Sequence, residues 1–305
     1  MSESSACVAT MRSLDIHSDD SQMSVGIAAR VAVIVPCYNE AARFDVPAFR
    51  RFLAEHRATR MVLVNDGSTD GTLAILNALA AENPGQVHVL DMPHNGGKAE
   101  AVRKGLLAAL ADGTEFVAYW DADLATPLDL MKDFATITDR HRQIEVVFGS
   151  RRSMLGHRVR RTSGRRLVSR ICALLARIAI GLPVADTQCG AKLLRDTPAL
   201  RAALAKPFTA GWLFDVELMA RISSATHDKH AAFYELPLSE WTEVPGSKVT
   251  PWAIVHGGLR MLRLIAETRI GIAGRFANSM RPVTGETPQA VAISANQVGY
   301  RQTAP

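Results

Sequence analysis

The chain has 305 residues, 48% hydrophobic and 21% charged, which excludes a mostly disordered protein and a core too small to stand without staples. Its net charge of +5 is unevenly placed: nine arginines, no lysine and no acidic residue lie between Val146 and Ala185, leaving the rest of the chain at −4. Such a basic block implies a polyanionic partner, whether phosphate, acidic lipid headgroup or nucleic acid.

Residues 1–30 are polar and unpatterned and read as a flexible arm without the apolar core of a secretion signal; residues 271–305 read as a flexible tail. Between them, residues 31–270 read as one domain. The run Val31–Pro36 is apolar and β-branched, which predicts a strand buried on both faces. Helix at Val46–Arg57, strand at Arg60–Asn65, helix at Thr69–Ala81, strand at Gln86–Leu90 and helix at Gly97–Ala111 come next. Glu115–Trp120 reads as a fourth strand. Thr126–Arg140 reads as a helix with Thr126 as N-cap, Pro127 at its first position and Asp129 at its third. Ile144–Phe148 reads as a fifth strand. The alternation predicts an α/β fold with a Rossmann-like, mostly parallel sheet flanked by helices and a ligand site at the carboxyl ends of the strands. Cys7, Cys37, Cys172 and Cys189 form no CxxC and no disulfide framework, which predicts a reducing compartment. No apolar run reaches the length of a membrane span.

The chemistry should lie in the loops that leave the strands. The five sets are Pro36-Cys37-Tyr38-Asn39-Glu40, Asp66-Gly67-Ser68-Thr69-Asp70-Gly71, His94-Asn95-Gly96-Gly97-Lys98, Asp121-Ala122-Asp123 and Gly149-Ser150-Arg151-Arg152. Any one of them is ordinary turn chemistry; five of this kind on one rim is not. Two carboxylates at 121 and 123, at the end of a strand, suit a hard divalent ion that neutralises phosphate oxygens, or else a pair of turn-capping aspartates. Asp66 suits a base or ribose, or an Asx-turn. Lys98 opens a helix after two glycines, which suits phosphate, or else solvent. The dinucleotide GxGxxG and the P-loop pattern are both missing.

Taken together, these residues resemble family 2 glycosyltransferases of the GT-A fold, whose pattern is VPxYNE, DGSxDGT, NxGK and DADL. Here it stands as Val35–Glu40, Asp66–Thr72, Asn95–Lys98 and Asp121–Leu124. Gly149-Ser150-Arg151, Asp186–Gly190, Phe214–Glu217 and Gly246-Ser247-Lys248 resemble the dolichyl-phosphate β-glucosyltransferase branch, much of which polyprenyl-phosphate mannosyltransferases share. The resemblance implies that Pro36, Tyr38, Glu40, Asp66, Lys98 and Asp121 bind the nucleotide-sugar, with Asp66 toward the base. It implies that Asp121 and Asp123 hold Mg²⁺ or Mn²⁺. Arg151, with Arg152 and Arg165, is implied to face an acceptor phosphate, with Lys248 assisting the diphosphate. Asp123, Arg151, Asp215 and Lys248 form the implied catalytic set, Asp215 or its neighbour Glu217 orienting the sugar. Ala125 stands where some mannosyltransferase relatives carry a Gln, so diphosphate oxygens and water would complete the ion's shell.

The expected reaction moves a hexose, glucose from UDP-glucose, to a polyprenyl or dolichyl phosphate with inversion. A phosphate acceptor is already ionised and needs no general base. The alternatives are a mannosyltransferase using GDP-mannose, a soluble family 2 enzyme using an alcohol, and an arginine-rich nucleic-acid binder. The last is disfavoured because Val146–Ala185 holds Phe148 as its one aromatic residue, too few for stacking readers. Relatives carry membrane anchors that this chain lacks, so the expected location is cytoplasmic and peripheral, on the cytoplasmic face of an anionic membrane. The arginine-rich stretch joined to the apolar helix Ile171–Ile180 is the first candidate for that contact, and Trp252–Ile265 the second.

Overall fold

The structure is a computed structural model, and it describes residues 31–152, 158–159, 173–244 and, in a further helical stretch, 260, 262, 263, 265 and 266. Arg165, Lys248 and most of the segment Trp252–Ile265 lie outside the described residues, as do the arm, the tail and most of the arginine block.

The elements, in chain order, are β1 (Val31–Cys37), α1 (Val46–Glu55), β2 (Arg60–Asp66), α2 (Thr72–Glu82), β3 (Val87–Met92), α3 (Lys98–Ala111), β4 (Phe116–Trp120), α4 (Met131–Arg140), β5 (Val146–Ser150) and β6 (Arg158–Val159). They continue with α5 (173–180), β7 (Ala191–Arg195), α6 (Pro198–Leu204), α7 (Phe214–Ala225), α8 (Lys229–Ala232), β8 (Phe233–Pro237) and β9 (Glu240–Trp241). The large sheet has the order β3-β2-β1-β4-β7-β5-β8, and β6 pairs separately with β9.

Strand β1 shows why an unbroken apolar run was needed. Val31, Val33 and Val35 face one core with α1, α2 and α4; Ala32 and Ile34 face the other with α3, α5, α6 and α7. The sheet is thus the middle of three layers, buried on both sides. In α1 the apolar stripe Phe49, Phe52 and Leu53 points inward, Asp45 accepts from Ala48 N at 3.0 Å as N-cap, and Pro47 fits the open first turn.

The sheet is parallel except at one strand. β7 runs antiparallel to both β4 and β5, which are therefore parallel to each other. Every other strand pair in the sheet is parallel. All the remaining strands therefore end at one rim, and β7 begins there. The expected strands and helices up to residue 148 are present, with ends shifted by a few residues. The fourth helix is the exception, because it does not start at Thr126. A 3₁₀ turn over Leu128–Leu130 intervenes, and the α-helix opens at Met131 with no side-chain cap. Thr126 is used elsewhere: its carbonyl accepts from Trp120 Nε1 at 2.8 Å, and its hydroxyl lies 3.8 Å from Cys189 Sγ.

Candidate active site at the sheet rim

The first three rim loops are stitched together by side chains. Asn39, at φ 51°, donates its N–H to Ser68 Oγ at 3.0 Å, and its side-chain oxygen accepts from Thr69 N at 2.9 Å. Glu40 N–H donates to Thr72 Oγ1 at 2.8 Å. Gly67, at φ 62°, lies so close to the loop after β3 that a Cβ would sit 2.5 Å from Asn95 N. Asp66 reaches across this contact, accepting from Gly96 N at 2.7 Å. Burial pushes its carboxyl above the ordinary range, opposed by the Gly96 and Gly97 amides. The local Asx-type bond is made instead by Asn65, which accepts from Ser68 N at 3.3 Å. Glu40 is buried and gripped by Arg43, whose Nη2 donates at 2.6 Å, so its carboxylate is already paired. Pro36 and Tyr38 are half-buried on the same exit from β1.

The paired aspartates come directly after β4. Asp121 N–H donates to Gly190 O at 2.9 Å, and Lys98 Nζ lies 2.5 Å from Asp121 Oδ1. Asp123 accepts from Ala125 N at 3.1 Å, and Leu124 between them takes φ 49°. Burial first, then the charge of Asp121, raise the carboxyl of Asp123; Lys98 and Arg43 oppose them. Burial would lower Lys98, but Asp121, Asp215 and Asp123 outweigh it and hold the ammonium charged. Two carboxylates that repel each other and recruit cations are the donor chemistry a hard divalent ion takes. Among the described residues no cluster of three or more His, Cys, Asp or Glu converges, so the protein offers such an ion this pair.

Arg151 stands at the exit of β5. Its Nε and Nη2 donate to the two oxygens of Asp186, at 2.6 and 2.8 Å, and its own N–H donates to Asp186 Oδ2 at 3.0 Å. Its guanidinium carbon lies 5.4 Å from the Trp241 ring centre. Asp186 and Ala185 are held in turn by Glu235, which accepts both amides at 2.9 and 2.8 Å. Asp186 fixes Arg151 through one edge of the fork, which carries further N–H donors on Nη1. Strands β4 and β5 run parallel and end on the same side of the sheet, so the arginine and the paired aspartates that follow them share one rim. Arg152, next along, is exposed.

Asp215, on the first turn of α7, is buried and accepts from Lys192 Nζ at 2.6 Å. Burial raises its carboxyl to about 7. Glu217 accepts from Thr209 N and Ala210 N at 2.8 and 2.7 Å and from Arg221 at 2.5 Å, so it braces the loop before α7. Sequence reasoning missed Lys192, Arg43, Glu235 and the ring of Trp241. For Lys192 the signal was there, since a lysine inside the apolar strand Ala191–Arg195 demands buried partners.

Residues 32–199 match the glycosyl transferase family 2 domain. The chain belongs to glycosyl transferase family 2. It is 30% identical over 253 residues to a dolichyl-phosphate beta-glucosyltransferase of Trichomonas vaginalis, covering 78% of this chain and 72% of the relative. The Saccharomyces cerevisiae enzyme of the same name is 30% identical over 262 residues, covering 77% and 72%, and the Homo sapiens one 28% over 252 residues, covering 76% and 74%. Among solved structures, glucosyl-3-phosphoglycerate synthase of Mycobacterium tuberculosis, in complex with Mn²⁺, UDP-glucose and phosphoglyceric acid, superposes with a TM-score of 0.59. It is 19% identical and covers 83% of this chain and 86% of its own, a likeness of fold. The fold is thus GT-A and the protein is a glycosyltransferase, as the motifs implied.

Proposed function

We propose that this family 2 glycosyltransferase moves glucose from UDP-glucose to a polyprenyl phosphate with inversion at the anomeric carbon. The carrying observation is that Arg151, fixed by Asp186 and stacked near Trp241, shares a rim with Asp121 and Asp123. Asp66 and the loops around Asn39 and Gly96 hold the uridine end of the donor. Asp121 and Asp123 face its diphosphate and hold the divalent ion, which on binding supplies charge to the departing diphosphate. Lys98, now on Asp121, adds a second cation there. Arg151 draws the acceptor phosphate through its remaining N–H groups, as guanidinium forks suit phosphate oxygens.

The acceptor oxygen carries its charge already, so no side chain has to take a proton. It forms the bond to C1 while the C1–oxygen bond to UDP breaks, and UDP leaves with the electron pair. Asp215 acts from below the rim, through Lys192 and Lys98.

A lipid acceptor is favoured further by α5. Its inner side packs Ala176, Ala179 and Ile180 into the core, while Leu174 and Ile178 stand 58% and 42% exposed. Each forgoes a large share of the roughly 1.5–3 kcal/mol that full burial would give. In sequence the helix comes after the arginine block, and a basic, apolar surface of this kind suits a peripheral seat on the cytoplasmic face of an anionic membrane.

The test uses the full chain, Mn²⁺, radiolabelled UDP-glucose and polyprenyl phosphate in anionic vesicles. Label in the lipid phase, and none when GDP-mannose replaces the donor, supports the reading. Label on an alcohol acceptor with none on the lipid phosphate overturns it. Arg151→Ala should raise the KM for the lipid phosphate by about tenfold or more with UDP-glucose binding within about threefold, since a charge-assisted contact is worth roughly 1.5–3 kcal/mol.

A further inference from the structure

The rim joins its donor and acceptor halves through one short stretch, Asp186–Gly190, that leads into the reversed strand β7. At one end Asp186 holds Arg151 by three hydrogen bonds. At the other Gly190 O accepts from Asp121 N, and Gly190 lies so close that a Cβ would meet Asp121 Oδ2 at 1.9 Å. Within the stretch Asp186 Oδ1 accepts from Gln188 N at 3.1 Å, and the carbonyls on either side of Gln188 are held from beneath by Lys192. Lys192 is 0% exposed, and its Nζ donates to Cys189 O at 2.7 Å and Thr187 O at 3.0 Å. The same nitrogen reaches Tyr119 Oη at 2.8 Å, on the neighbouring residue of β4, and Asp215 Oδ1 at 2.6 Å on α7.

Four oxygens from three separate parts of the chain thus converge on one buried nitrogen. Two of them are backbone carbonyls of the connecting stretch, which no side chain at positions 187 or 189 needs to supply. A lysine in a buried strand is costly to keep. Apolar residues occupy the neighbouring strand positions Leu193 and Leu194 without difficulty.

We propose that Lys192 is a positioning residue for the transfer reaction: by tying down Thr187 and Cys189 it sets the separation of Arg151 from the paired aspartates. This rests on the proposed reaction, in which those two groups bring acceptor and donor together. Positioning of this kind acts on the reacting geometry more than on affinity, because small misplacements cost rate.

The experiment compares the full-length variants Asp215→Asn and Asp215→Asn/Lys192→Gln. Neither leaves an unpaired carboxylate beside a missing lysine, and their difference isolates the Lys192 side chain. Three quantities are read: amide hydrogen exchange along Asp186–Gly190 and at Asp121, UDP affinity in Mn²⁺ by calorimetry, and kcat for the lipid phosphate. In the double variant, relative to Asp215→Asn, we expect exchange about tenfold faster in that stretch with β1, β2 and β4 still protected. We expect UDP affinity within about threefold and kcat lower by about 100-fold. Unchanged exchange together with kcat within about threefold overturns the proposal. So does loss of protection across the whole sheet, or failure of the double variant to fold where Asp215→Asn folds, since a residue the entire core needs is not a positioning device. If the wild type moves no glucose to lipid phosphate, the reaction assignment fails, and the exchange comparison still decides whether Lys192 holds this stretch.

Discussion

Asp66 shows what a single buried carboxylate costs the folded protein. Burial raises its folded-state pKa above the unfolded value, so the folded form prefers the neutral acid. The stability it contributes is therefore complete below the unfolded pKa and is lost as pH rises through the folded one. An amide has no charge to desolvate and can still accept from Gly96 N. Asp66→Asn should thus be as stable as the wild type near pH 4 and gain on it toward pH 7 by thermal melting, while losing UDP affinity. A parallel fall of both proteins with rising pH would show that this carboxylate is not the cause. Gly190 makes a different single-residue demand. Its backbone lies outside the left-handed region, so the constraint is contact with Asp121, not conformation. Gly190→Ala should weaken Mn²⁺-dependent UDP binding by about tenfold or more, measured by calorimetry, and cost about 1–3 kcal/mol in urea denaturation.

Among the elements, the first five strands and their helices could be read from the chain because each is a run of one period. Val31–Cys37 and Phe116–Trp120 are apolar throughout, as two-sided burial requires. The helix expected at Thr126 could not be placed, because the hydroxyl that would cap it faces Cys189 and its carbonyl accepts from Trp120, and such tertiary use leaves no local trace. The reversal of β7 was equally hidden, since a strand's direction depends on its neighbours and not on its own residues. The site shows the same division. Asp66, Lys98, Asp121, Asp123 and Arg151 announce themselves at strand ends, whereas Lys192 and Asp186 gain meaning from partners far along the chain. Helix α3 gives an element-scale prediction. Gly105 lies against β1 and β2, where a Cβ would meet Ile34 Cγ2 at 2.5 Å and Val64 Cγ2 at 2.9 Å. Helix propensity favours alanine there by about 1 kcal/mol, but overpacking costs about 1–3 kcal/mol. Gly105→Ala should lower the urea midpoint and, by lifting the helix that begins at Lys98, weaken UDP binding; a raised midpoint would show that the layer has room.

At the scale of the whole molecule, the two faces of the sheet are not alike. The three large apolar side chains that stand exposed among the described residues are Leu174, Ile178 and Leu262, and the helical segments bearing them pack against the same core layer through Ala176, Ala179, Ile180 and Ile265. The opposite face, built by α1, α2 and α4, closes over Phe49, Phe52, Leu76 and Phe134. Among the described residues no helix is long and apolar enough to cross a membrane. Leu174→Ser/Ile178→Ser should abolish sedimentation with phosphatidylglycerol vesicles while leaving the melting temperature within a few degrees and UDP affinity intact. Retained sedimentation would move the contact to another part of the surface. The backward course of β7 also bears on how such an enzyme could be refitted for another substrate. Because that strand enters where its neighbours leave, the ribbon feeding it touches both Arg151 and Asp121, the groups proposed for acceptor and donor. Grafting a new acceptor loop while keeping the old donor half would split a shared component, so residues 121, 151 and 186–192 would have to be transplanted as one cassette.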